Sequence, residues 1–123
     1  MAVDVLIVDD SAAIRKIVQR MLGQAGISLG KVLEAGDGVE ALEILKSQPV
    51  NLILSDINMP NMDGIQLLSI LKSSKEFRHV PVIMMTTEGG ESKVLEARQL
   101  GASGYVRTPF PDDQIKEWLA GLC

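Results

Sequence analysis

The chain has 123 residues and a formal net charge of −4, with 46% hydrophobic and 23% charged residues. That length fits one domain able to bury its own core, and the acidic balance argues against nucleic acid as a partner. The single cysteine, Cys123, can form no internal disulfide, and the sequence has neither an apolar run long enough for a membrane span nor a polybasic block. The acidic start "MAVDVLIVDD" is too short and too charged for a signal peptide, so a cytoplasmic protein with no membrane insertion is expected.

In chain order, "VDVLIV" (Val3–Val8) predicts a first strand, apolar with almost no alternation, as in a parallel sheet covered on both faces. Ser11 stands where it would cap a helix whose apolar stripe is Ile14, Ile17, Val18, Met21 and Leu22. A second strand, "VLEA" (Val32–Ala35), leads to Asp37 and Glu40 at capping-box spacing, then to a helix carrying Ala41, Leu42, Ile44 and Leu45. "NLILS" (Asn51–Ser55) predicts the third strand, and Asp63 precedes a third helix with Ile65, Leu68 and Leu71. "VIMMT" (Val82–Thr86) is a fourth strand, followed by a helix from roughly Glu91 to Leu100 that Gly101 ends. "GYVR" (Gly104–Arg107) is a fifth, and the last helix carries Ile115, Leu119 and Leu122. Strand–helix units in series imply right-handed crossovers and one parallel sheet with helices on both faces, a doubly wound α/β fold. A single domain over residues 1–123 is expected, with no effector domain.

The polar residues that interrupt this pattern collect at the C-terminal ends of strands. Asp9 and Asp10 follow the first strand, Asp56 the third, Thr86 and Thr87 end the fourth, and Thr108 follows the fifth. In doubly wound sheets that edge holds the ligand crevice, where strand order reverses. With strands ordered 2-1-3-4-5, the first and third are neighbours, and Asp9, Asp10 and Asp56 converge. Any one of these aspartates could simply cap a helix or start a turn. Three at one rim need a counter-charge, and oxygen ligands with no nearby histidine or cysteine suit Mg²⁺ rather than zinc. Such an ion would also screen a phosphoryl group approaching a carboxylate nucleophile.

"LIVDDS", "ILSDINMPNMDG", "PVIMMTTE" and "GASGYVRTPF" together resemble the receiver domain of two-component response regulators, above all the single-domain chemotaxis regulators of the CheY type. The resemblance spans essentially the whole chain. It implies a flavodoxin-like (βα)5 fold with a five-stranded parallel sheet in the order 2-1-3-4-5. It also implies that Asp56 accepts a phosphoryl group from a sensor histidine kinase. Asp10 and Asp56 would ligate Mg²⁺ directly, Asp9 through water and Asn58 through its backbone carbonyl. Thr86 matches the hydroxyl that moves onto the phosphoryl group, with Thr87 beside it, and Tyr105 the aromatic that turns inward in concert. Asn58 and Glu88 fall at positions that tune phosphoryl lifetime, and Pro60, Asp63 and Gly64 shape the loop into the third helix. Such a protein is a phosphoacceptor that assists its own phosphorylation and dephosphorylation, not an enzyme acting on a separate substrate.

At "YVRTPF" the family pattern has a lysine immediately before the proline, and this chain has Thr108. A threonine offers one neutral hydrogen bond and no charge. Arg107 is adjacent, yet neighbours along a strand face opposite sides. Phosphorylation with weakened phosphoryl stabilisation and switching is therefore expected. The fourth helix, fifth strand and fifth helix form the family's face for a downstream protein target, with Arg107, Phe110, Lys116 and Trp118 as candidate contacts; Trp118 fits a buried edge position equally well. Two other functions compete. One is a receiver-like binding module that has lost its phosphorylation switch along with the lysine. The other is a Mg²⁺-dependent phosphohydrolase with an aspartyl-phosphate intermediate, for which the D-x-D spacing is missing.

Overall fold

The computed structural model describes residues 2–24, 26, 28–57, 59–85, 95–96 and 99–102, together with the backbone at 86 and 104–107. Among the described residues the delimited elements are, in chain order, β1 (Val3–Val8), α1 (Ala12–Gln24), β2 (Leu29–Ala35), α2 (Gly38–Ser47), β3 (Leu52–Asp56), α3 (Gly64–Ser73), β4 (Val82–Thr86) and β5 (Gly104–Arg107). Every pairing is parallel, and the strands lie in the order β2-β1-β3-β4-β5. The expected parallel sheet of an α/β domain is therefore present. Residues 95–96 and 99–100 are helical, within the span expected for the fourth helix, whereas the fifth lies outside the described residues.

The continuous apolar character of the inner strands has a direct structural reading. Leu6 and Val8 of β1 face the same side as Ile53, Val82 and Met84, where Ala41 and Leu45 of α2 and Leu67, Leu68 and Leu71 of α3 cover them. Val5 and Ile7 face the other side with Leu52, Leu54, Ile83 and Met85, under Val18 and Leu22 of α1. Alternate residues of one strand thus enter different cores, so these strands are apolar almost throughout; the buried Ser55 of β3 is satisfied by donating its hydroxyl to the Asp56 carbonyl at 3.0 Å. Full burial of one such Leu or Ile side chain contributes about 1.5–3 kcal/mol.

Helix starts follow their capping residues. Ser11 accepts from the Ile14 N–H through its hydroxyl at 3.3 Å, as its position suggests. Asp37 accepts from the Glu40 N–H at 2.8 Å and so supplies its half of the box that the spacing suggests. The complete capping box is at α3: Asp63 accepts from the Gln66 N–H, and the Gln66 side chain accepts from the Asp63 N–H.

Three details depart from the sequence expectations, the first being that the third strand runs Leu52–Asp56 rather than Asn51–Ser55, so that Asp56 ends the strand instead of following it. Ile17, assigned to the apolar stripe of α1, is 44% exposed. The stripe centres on Val18 and Leu22, one turn apart, and Ile17 falls about 100° away from Val18 on the helix. The second strand is longer than Val32–Ala35 and begins at Leu29, because Val3 pairs with Leu29 across a register shift. The Lys31 N–H adds a bond to the Asp4 carboxylate at 2.8 Å. Among the described residues, no helix is long and apolar enough to cross a membrane.

Candidate functional site

Register alone brings the carboxylates together. Val8, the last residue of β1, pairs with Ser55 of β3, so Asp9 comes level with Asp56 at the sheet's C-terminal edge. One carboxylate oxygen from each of Asp9, Asp10 and Asp56 lies within 4.8 Å of the others. The three differ in surroundings: Asp9 is buried, Asp56 is half-buried and Asp10 is exposed.

Each chain turn at this edge is held by backbone hydrogen bonds. Past the end of β1, the Asp9 N–H donates to the Ala35 carbonyl at 3.0 Å, extending the sheet by one bond. The Asp9 carboxylate then accepts from the Ser11 N–H at 2.8 Å, closing a tight turn with Asp10 at its apex. On the β3 side, the Ile57 N–H donates to the Met85 carbonyl, and the Gly64 N–H donates to the Ile57 carbonyl at 2.8 Å. The loop from β3 to α3 is thereby pinned at both ends, which fixes the backbone carrying Asp56.

Burial pushes the Asp9 carboxyl above the ordinary carboxylate range; the Ser11 N–H pulls it back, and the neighbouring Asp10 raises it further. Arg15 lowers it by its positive charge. The guanidinium donates from Nη1 to the Asp9 carbonyl at 2.6 Å and from Nε to Glu34 at 3.0 Å. In the sequence Arg15 is simply the first basic residue after the acidic pair. A usable signal exists: long side chains on a helix lean back over the preceding turn, which here is the turn bearing Asp9.

A set of three hard carboxylate oxygens with no histidine or thiol among them suits a divalent cation of the Mg²⁺ type. It also leaves the buried Asp9 in want of positive charge, which a single, half-buried Arg15 bonded to Glu34 meets only in part.

Other residues named from sequence divide into two groups. Thr86 lies at a backbone position in β4, beside β3, and Tyr105 and Arg107 in β5, the next strand out: Asp56 pairs with Met85, the residue before Thr86, and Thr86 pairs with Arg107. Asn58, Thr87, Glu88, Thr108, Phe110, Lys116 and Trp118 lie outside the described residues.

Residues 5–120 match the model of the response regulator receiver domain. The chain is 39% identical over 115 residues to the chemotaxis protein CheY-3 of Vibrio cholerae, covering 94% of this chain and 87% of that protein. It is equally 39% identical over 115 residues to the chemotaxis protein CheY1 of Helicobacter pylori, covering 93% and 91%. The crystal structure of chemotaxis protein CheY4 of Vibrio cholerae superposes with a TM-score of 0.84 at 32% identity, covering both chains completely. A doubly wound sheet with an acidic cluster at its carboxyl edge, matched along nearly its whole length, defines a two-component signalling domain. The chain belongs to the response regulator receiver domain family, and its relatives include the CheY chemotaxis proteins.

Proposed function

We propose that this chain is a Mg²⁺-dependent phosphoryl acceptor in a two-component pathway of the chemotaxis type, with Asp56 as the nucleophile. The observation that carries this reading is the meeting of three carboxylates at one sheet edge, with the half-buried Asp56 ending β3 just before a pinned loop. Asp10 and Asp56 would hold the ion directly, Asp9 through water, and Asn58 by its backbone carbonyl. Bound there, the ion would neutralise carboxylate charge and screen the oxygens of an incoming phosphoryl group.

The donor is a phosphohistidine on a sensor kinase. An Asp56 carboxylate oxygen attacks phosphorus, the P–N bond breaks, and the leaving imidazole nitrogen ends protonated. The resulting acyl phosphate is later hydrolysed to carboxylate and inorganic phosphate. Thr86 and Tyr105 are the switch residues in this reading, with Thr87 and Thr108 beside the phosphoryl group and Asn58 and Glu88 setting its lifetime. The response is altered binding of a downstream protein through the face that includes Arg107, Phe110, Lys116 and Trp118. The names of the relatives, chemotaxis proteins of bacteria, support the pathway.

The test is intact mass after incubation with a small acyl phosphate and Mg²⁺. Gain of one phosphoryl group is expected, absent in Asp56→Asn and absent with a chelator. No gain in mass together with no binding of a beryllofluoride mimic would favour a phosphorylation-independent module, the reading to which Thr108 in place of lysine lends support. Catalytic turnover of a phosphate ester would favour a phosphohydrolase.

A further inference from the structure

The acidic edge needs its carboxylates aimed as well as gathered. Asp10 is the exposed member, at the apex of the turn between β1 and α1, with no strand on either side to orient it. Its direction depends on the two peptide units that flank it. The peptide after Asp10 ends in the Ser11 N–H, which the Asp9 carboxylate holds at 2.8 Å. The peptide before Asp10 begins with the Asp9 carbonyl, and the Arg15 guanidinium holds that oxygen at 2.6 Å.

Arg15 is itself fixed at three points. Its N–H donates to the Ser11 carbonyl at 3.1 Å within the first turn of α1. Its Nε donates to Glu34, whose backbone position pairs with Ile7 of β1 one step before the edge. The planar guanidinium therefore bridges helix, strand and turn with directed N–H groups, a geometry that an ammonium cannot copy.

We infer that Arg15, braced by Glu34, is a positioning residue for the acidic edge, holding the Asp9–Asp10 peptide so that the Asp10 carboxylate meets a divalent cation with Asp9 and Asp56. The inference rests on the proposed Mg²⁺ site, and its consequence has a sign that separates it from simple electrostatics. As a positive charge beside the cluster, Arg15 repels an incoming cation, so its removal by charge alone would tighten metal binding. As a positioning residue its removal loosens metal binding, by about tenfold as for other outer partners of metal ligands.

The experiment is a calorimetric Mg²⁺ titration of wild type, Arg15→Met, Arg15→Lys, Glu34→Gln and the Arg15→Met/Glu34→Gln double variant. Alongside it, amide spectra of the metal-free proteins are recorded. Expected is about tenfold weaker binding for Arg15→Met. Arg15→Lys is also weaker than wild type despite its charge, and the double variant is no worse than Arg15→Met, because Glu34 acts through Arg15. In the metal-free spectra the Asp10 and Ser11 amide resonances shift in Arg15→Met, since the Asp10 N–H shares its peptide unit with the released carbonyl. Equal or tighter binding by Arg15→Met, or wild-type binding by Arg15→Lys, overturns the inference while leaving the proposed metal site standing. If wild type binds no Mg²⁺, the functional reading fails and the inference falls with it. Should Arg15→Met fail to fold, Arg15→Lys and Glu34→Gln carry the same comparison.

Discussion

A glycine shows how tightly single residues are committed at this edge. Gly64 opens α3, and a Cβ there would run into the Asp56 carbonyl oxygen, with the Met84 Cε at 2.8 Å and the Ile57 Cα at 2.9 Å. Two of these neighbours are backbone and cannot swing aside, so even one methyl group must displace the segment that carries Asp56, the proposed nucleophile. Gly64→Ala is expected to destabilise the fold by about 1–3 kcal/mol, the usual range for overpacking. It should also slow phosphoryl uptake at Asp56, since the strain lands on that residue's own peptide. Denaturant unfolding and the intact-mass time course would check the two effects separately; normal stability with normal uptake would show that the loop yields at no cost. At this scale the aspartates were legible because their placement after apolar runs is visible in one dimension. Gly64 entered only as a loop-shaping residue, and the role of Arg15 was hidden, because its acceptor is a backbone carbonyl and any residue has one.

Between elements, the loop leaving β2 and the loop leaving β3 are joined by Asp37. One carboxylate oxygen caps α2 through the Glu40 N–H at 2.8 Å, and the other accepts from the Asn61 amide at 2.8 Å. Beside it, the Gly38 N–H donates to the Met62 carbonyl at 3.2 Å, and Asn61 adopts the left-handed φ of 63°. The Glu40 N–H first, and the Asn61 amide second, hold the Asp37 carboxyl below its ordinary range. A carboxyl depressed in the folded state contributes stability above its unfolded value, and that contribution is lost as pH falls through the lower folded value. Thermal melts of Asp37→Ala should therefore lie a few degrees under wild type at neutral pH and converge with it in strong acid. A gap that persists unchanged into strong acid would mean that the carboxylate's charge is not what joins the loops. The same elements show where sequence reading stopped. Strands buried on both faces announced themselves, whereas "LGK" at the start of β2 did not, since an edge strand there is held by pairing with Val3 and by the Asp4 carboxylate rather than by burial. The order of the strands came from the family resemblance. Periodicity says that a segment is a strand, not which neighbour it takes.

For the molecule as a whole, the acidic edge sets function against stability. The chain carries a net charge of −4, and Asp9 is 5% exposed with Asp10 and Asp56 close by. Because its carboxyl is held above the ordinary range, chiefly by burial, ionising Asp9 costs the folded state more than the unfolded chain. The cost is complete above the raised folded value and disappears below the ordinary one. A divalent cation bound by the folded state alone reverses this: at a hundredfold excess over its dissociation constant it adds about 2.7 kcal/mol to stability. Melting curves with and without Mg²⁺, at matched ionic strength, separate binding from screening. Wild type should melt higher with Mg²⁺ than with an equivalent sodium salt. Asp9→Asn should melt higher than wild type without the ion and gain much less when it is added. If wild type gained nothing beyond the salt control, or if Asp9→Asn gained as much as wild type, the buried aspartate would have some role other than metal binding. With both expected outcomes, the domain's resting instability and its readiness to take a phosphoryl group have one origin, a negative charge folded into a place that only a cation completes.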